Sequence, residues 1–233
     1  MTAYKRYADS PRKIALTAGI FYILTFVSIP TLSLYAPARD PNFIIGAGPV
    51  TNIFIGVILE LIVALTGIGT AVSLYPILKK QNPSVALGLV GARVLEAATI
   101  FTGVASLLTI VTLRQSGVGA EGIVTGKALA AFYDRMFLVG QNLMPAVCDL
   151  LLGYLLYKSR LVPRALALIG IAGAPALVIG HLSIMFGIVG QRDPSTFLFA
   201  VLVAVFEFSL GVLLVVKGFS KTSPLLAEYK TNS

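Results

Sequence analysis

A chain of 233 residues that is 57% hydrophobic and only 12% charged cannot clothe a soluble domain, in which about 25% of residues carry charge, so an integral membrane protein is expected. The net charge of +8 sits mainly between apolar runs, which reads as membrane topology and lipid-headgroup contact and excludes a nucleic-acid surface. Cys148 is the lone cysteine and His181 the lone histidine, so there is no intramolecular disulfide, no metal-ligand spacing and no expected cofactor.

A membrane helix needs about 20 mostly apolar residues. Six stretches qualify: Ile14–Leu34, Thr51–Tyr75, Val85–Leu113, Ala131–Tyr157, Arg164–Val189 and Thr196–Lys217. Their length and lack of alternation predict helices rather than barrel strands. The expected fold is all-α: one polytopic membrane domain over residues 1–233, six helices in one bundle.

Before the first run come Lys5, Arg6, Arg12 and Lys13; after it comes Ala36-Pro37-Ala38, an A-x-A pattern. That arrangement imitates a signal peptide. The apolar run exceeds a signal h-region, so the first helix is expected to remain as an anchor. At about 100° per residue, the second run places Asn52, Gly56, Glu60, Gly67 and Thr70 on one stripe. The third does the same with Gly88, Ala92, Glu96, Thr99, Gly103 and Ser106, with Arg93 at the edge.

The connection at 114–128 contains Gly117-Val118-Gly119-Ala120-Glu121-Gly122, a literal G-x-G-x-x-G. A dinucleotide site needs that loop between a strand and a helix. After a membrane helix it reads as a flexible turn. In the fourth run Arg135, Asn142 and Asp149, spaced by seven, align with Gly153. Pro145 is expected to free a carbonyl near Gln141 and kink the helix. The fifth run aligns Gly170, Ala174 and His181, and the sixth Ala200, Ala204, Glu207 and Gly211. Both SPRKIALTAGI (10–20) and VPRALALIGIAG (162–173) open with proline in the first helical turn, where its missing N–H costs nothing. Small residues let helices approach closely, so these stripes are expected to face one another.

Orientation follows Lys and Arg near the span ends. Besides the N-terminal four, Lys79, Lys80, Lys158, Arg160, Arg164, Lys217, Lys221 and Lys230 fall on one side. Only Arg39, Arg114, Lys127 and Arg192 fall on the other. Both termini are therefore expected in the cytoplasm.

Ionisable groups inside a span cost several kcal/mol and normally face the protein interior. Counting about 1.5 Å per residue puts Arg93 and Asp149 at one depth, roughly 12 Å from the cytoplasmic helix ends, as the expected inter-helix ion pair. Glu96 and Glu207 lie about one turn farther out. Glu60 and His181 share a level in the outer half, where a protonated His181 would pair with Glu60. Four acids (Glu60, Glu96, Asp149, Glu207) face two bases, Arg93 and Arg135. The surplus suits a proton or cation, held by protonated carboxyls or by a bound ion. The same residues also fit a structural core, with Arg93–Asp149 ordering the bundle, His181 hydrogen-bonded within it and Asn142 as helix–helix glue. Catalysis finds little support. Ser183 lies two residues from His181 on the same helix and points elsewhere, and there is no HExxH-type site.

Four stretches, SPRKIALTAGIFYILTF, ARVLEAATIFTGVASLL, YDRMFLVG and GYLLYKSRLVPRALALIGIAGAP, together resemble the bacterial membrane-protein family catalogued as domain of unknown function 4386. The likeness covers nearly the whole chain. It is most specific at Arg93 to Ala97 and at Leu156 to Arg164. It implies a compact multi-helix protein of a bacterial cytoplasmic membrane and carries no activity with it. The first functional reading is a binding, scaffold or accessory membrane protein with a structural polar core. The second is a small-solute or proton- or cation-coupled permease using Glu60, Glu96, Glu207 and His181. The third is a membrane-embedded enzyme acting on lipid.

Overall fold

The structure, a computed structural model, describes residues 10–231 apart from 41 and 47, with the side chains of 228–231 left aside. Lys5, Arg6 and the Lys230 side chain, which enter the orientation argument, lie outside the described residues. Among the described residues, eight helices of eight residues or more follow one another: α1 (Pro11–Leu24), α2 (Thr51–Gln81), α3 (Pro83–Gln115), α4 (Ile123–Phe137), α5 (Met144–Ser159), α6 (Arg164–Met185), α7 (Phe197–Val216) and α8 (Pro224–Thr231). Among these residues six segments are long and apolar enough to cross a membrane: Pro11–Leu34, Thr51–Gln81, Pro83–Gln115, Gly119–Ser159, Arg164–Met185 and Pro194–Val216.

Local chemistry sets the breaks. Asn82 alone separates α2 from α3; its backbone is extended (φ −158°, ψ 106°) and its side chain accepts the Val85 N–H at 3.1 Å. Pro83 follows at the first helical position, where it costs no hydrogen bond. This pair turns the chain within one residue, so the second and third helices run longer than the apolar stretches alone indicate. At the end of α5, Arg160 adopts the left-handed conformation (φ 54°) that ends a helix. The glycine-rich connection is a turn with Gly117 and Gly119 at positive φ (68° and 63°). A 3₁₀ turn, Gly119–Gly122, then leads into α4. No strand precedes it, so the G-x-G-x-x-G has no dinucleotide geometry. The fourth span begins well before Ala131, because Gly126 and Ala130 pack under Ile44 and Phe43.

The spans close into a ring. α2 packs on α1 and α3, α3 also on α4 and α5, α5 on α6, α6 on α7, and α7 back on α1. Small residues make the closest approaches. A Cβ on Gly19 would lie 2.8 Å from the Gly211 carbonyl oxygen, and one on Gly170 2.7 Å from the Phe206 ring. Large apolar side chains such as Ile58, Leu65, Leu87, Leu95 and Ile179 point outward and are exposed, as a lipid-facing surface requires. One apolar cluster gathers Tyr22, Leu74, Leu78, Leu89, Leu152, Leu155, Phe206, Leu210 and Leu214 at the end carrying Arg12, Lys79, Lys158 and Lys217. A second, with Tyr35, Ile53, Ile100, Val104, Leu107 and Tyr133, fills the opposite end around α2, α3 and α4. Between them lies a polar layer, since Ala92 belongs to the first cluster, Ala97 to the second, and Arg93 and Glu96 sit between.

Candidate functional site

The layer is built around Arg93, which is 3% exposed. Its Nη1 donates to Glu96 Oε2 at 2.8 Å, and its Nη2 donates to Glu207 Oε1 at 2.5 Å. Asp149 is third: its Oδ1 lies 3.9 Å from Nη2. The expected Arg93–Asp149 ion pair is present, but it is the longest of three. The closest partners are the i, i+3 neighbour on the same helix and an acid from α7, which the glycine contact between α1 and α7 brings close. The guanidinium carbon sits 5.8 Å from the Tyr22 ring centre, and Cys148 Sγ lies 3.8 Å from Glu96 Oε2. Arg93 Nε and both Asp149 oxygens are buried without a hydrogen-bond partner, a condition that normally costs free energy.

A cavity of about 220 Å³ opens on this cluster. Arg93, Glu96 and Glu207 line its floor. Val63, Gly67, Leu177, Ala200, Val203 and Ala204 form its walls, together with the amides of Gln141 and Asn142. It extends past Thr25 and Ser28 to Ile29, which is 73% exposed at the end away from Arg12 and Lys79. On the opposite side the apolar cluster around Tyr22, Leu74 and Leu210 closes it off.

The two amides reach the cavity because α4 and α5 are joined by a π-helical segment, Leu138–Leu143. Pro145 supplies no N–H to the preceding turn, so the carbonyls ahead of it are free for wider pairing. Gly140 allows this segment to abut α3, since a Cβ there would lie 2.0 Å from Thr99 Oγ1. The same segment overturns the seven-residue alignment. Arg135 is exposed and donates to Gln191 Oε1 at 3.0 Å, Asn142 lines the cavity, and Asp149 is buried behind Arg93. Arg135 therefore drops out of the polar core, which leaves four acids to one arginine.

Glu60 forms a separate buried centre, fully enclosed. Its Oε1 accepts from Tyr133 Oη at 2.6 Å and from Gln141 Nε2 at 3.1 Å. Its carboxylate also interacts with the neighbouring Tyr35 hydroxyl, outside full hydrogen-bond geometry. His181 is not its partner. The imidazole Nδ1 lies 3.1 Å from the Leu138 carbonyl oxygen, which can only accept, so Nδ1 carries the proton in that contact. At the far end Asp134 accepts from Arg39 at 3.0 Å and from Arg192.

The structure therefore brings Arg93, Glu96, Glu207 and Asp149 together and adds Asn142 at the cavity wall. Glu60 is joined to that cavity only through Gln141, and His181 is set aside on the π segment. Tyr22, Tyr35, Tyr133 and Gln141 complete the two centres and were missed. A glutamine beside Asn142 in mid-span was a readable signal, whereas the tyrosines counted as apolar. Among the described residues no group of three or more His, Cys, Asp or Glu is arranged to hold a metal ion. Among comparisons with known proteins, no curated protein and no solved structure matches the sequence. One family model, described as domain of unknown function (DUF4386), matches residues 17–218, taking in both centres and both of the most distinctive segments. This multi-pass membrane chain belongs to the DUF4386 family.

Proposed function

We propose that the protein is a small-solute permease whose substrate enters the cavity and meets Arg93, Glu96 and Glu207. The observation that carries this reading is the cavity itself, an apolar-walled recess that reaches an ion-paired cluster at its floor. A purely structural core, the reading placed first on sequence, pairs its buried polar groups, because an orphan costs about 1–3 kcal/mol or more. Here Asp149 is held only by a loose 3.9 Å ion contact to Arg93, and Arg93 Nε makes no hydrogen bond. A lipid-modifying enzyme has less support. Cys148 meets Glu96 but is fully buried and does not line the cavity. The cavity hydroxyls of Thr25 and Ser28 donate to backbone carbonyls and approach no base.

The chain acts as one membrane domain, with the end bearing Arg12, Lys79, Lys158, Arg164 and Lys217 in the cytoplasm of a bacterial cell by the positive-inside rule. The cavity then faces outward. Purified protein in proteoliposomes tests the reading, with an interior pH dye and radiolabelled solutes under imposed gradients. Wild type is expected to carry solute above empty liposomes, and Glu96→Gln and Glu207→Gln to lose that flux at unchanged folded yield. Flux unaffected by both substitutions, or no flux from correctly folded wild type, overturns it.

A further inference from the structure

We propose that the cluster exchanges one small monovalent ammonium solute for one proton, with Arg93 moving from Glu207 to Asp149 as the solute binds. This rests on the permease reading and names its substrate class and coupling ion.

Two carboxylates compete for one N–H group. Arg93 Nη2 is 2.5 Å from Glu207 and 3.9 Å from Asp149, so a swing of about an ångström, the scale of a side-chain adjustment, converts one partner into the other. Asp149 is fully buried, and its oxygens make no hydrogen bond of full geometry, with only Arg93 at 3.9 Å and Glu207 beside them. A carboxylate left so is strongly disfavoured in a membrane interior. In the observed arrangement the charge of Arg93 is already engaged by Glu96 and Glu207, so the exchanged proton is assigned to Asp149. The groups facing Asp149 are Arg93 and Glu96 from α3, Glu207 from α7 and Tyr22 from α1, with Cys148 adjoining in its own helix. Only Arg93 among them is basic.

The cavity supplies the other half. Its floor holds one cation and two acids, its sides two amides and two hydroxyls, and the rest is apolar. That chemistry fits an N–H donor cation with a short hydrocarbon part. The volume of about 220 Å³ holds roughly seven waters at about 30 Å³ each and is below the usual range of about 300–1,000 Å³ for drug-sized ligands. An entering ammonium group donates to Glu96 and Glu207 in place of the guanidinium. Arg93 turns to Asp149, whose O–H proton passes by way of Glu207, the facing acid that lines the cavity, and leaves from there. Charge balances. Before exchange the four side chains sum to −1, with Asp149 neutral. Afterwards two cations face three carboxylates, again −1. No covalent bond forms or breaks apart from the O–H of Asp149.

The test uses full-length protein in detergent, titrated calorimetrically with methylammonium and n-propylammonium in two buffers of different ionisation enthalpy. Tetramethylammonium, a cation without N–H donors, is the control. Expected are saturable binding of both primary ammonium ions with release of one proton each, and no binding of the control. Asp149→Asn is expected to release no proton and to bind about tenfold or more weakly, although residue 149 does not line the cavity. Binding without proton release, equal proton release from Asp149→Asn, or no ammonium binding by wild type overturns the exchange. If Asp149→Asn does not fold, difference infrared spectra of wild type decide. Loss of a protonated-carboxyl stretch on adding methylammonium is expected, and its persistence overturns the proposal. Binding is read in detergent and flux in proteoliposomes, so failure of the exchange and failure of the permease reading are separate results.

Discussion

Replacing Arg93 with methionine keeps the bulk of the side chain and removes the charge. Two charge-assisted hydrogen bonds disappear, at 2.8 and 2.5 Å, each contributing ~1.5–3 kcal/mol. Their sum is an upper bound, because the stranded carboxyls can take up protons. Stripping one partner from a buried ion pair costs ~3–5 kcal/mol, which sets the expected loss. At ~2–4 °C per kcal/mol for a chain of this size, the melting temperature should fall by ~6–20 °C. Thermal unfolding followed by size-exclusion chromatography in detergent measures it. The triple variant Arg93→Met/Glu96→Gln/Glu207→Gln removes the stranded charges and should recover more than half of the loss while remaining inactive in flux. If Arg93→Met melts with wild type, or the triple variant melts as low as the single one, the cluster is not the electrostatic centre described here.

Gly19→Ala should lower stability by ~1–3 kcal/mol, as overpacking does, because its Cβ would lie 2.8 Å from the Gly211 carbonyl oxygen. Gly91→Ala, with nothing within 4 Å, should instead gain up to ~1 kcal/mol of helix propensity; equal melting temperatures for the two would contradict the α1–α7 contact. Tyr133→Phe strips one of two hydrogen bonds from Glu60 Oε1 and should cost ~1–3 kcal/mol, read in the same unfolding assay. Cys148, fully buried and facing Glu96, should resist maleimide in folded protein and react at the rate of unfolding; rapid labelling of the native state would contradict the packing of α5 on α3.

Six spans were legible because bilayer thickness imposes a length that composition alone reveals. Their ends were less so. Asn82 turns the chain in a single residue, and Ile123–Ala130 is helical because Ile44 and Phe43 cover Gly126 and Ala130; neither fact is visible in hydropathy. The surplus of acids was legible by count, and its true size became clear only when Arg135 proved to be a surface residue bonded to Gln191. Partner choice found a real contact, at 3.9 Å, but not the nearest one. Depth along α3 and α5 singled out Arg93 and Asp149, but depth says nothing about which neighbouring helix stands nearest. That is decided by Gly19 and Gly211, whose missing side chains bring α7, and Glu207 with it, against α1.

The π segment explains the remaining error and why it matters. A seven-residue spacing places side chains on one face only if every turn between them is regular. Leu138–Leu143 inserts a wider turn between Arg135 and Asp149, rotating one end of the span relative to the other. The consequence is a division of labour along a single membrane crossing. Arg135 faces the surface, Gln141 and Asn142 turn into the cavity, and Asp149 is left behind Arg93 with no hydrogen-bond partner. A regular helix would hold the three aligned residues on one side and could not offer amides to the cavity while hiding an acid beneath its floor. Gln141 also donates to Glu60, so the irregular turn touches both acidic centres, and His181 holds its first carbonyl. The departure from regular helix that misled the sequence argument is therefore what assembles the site.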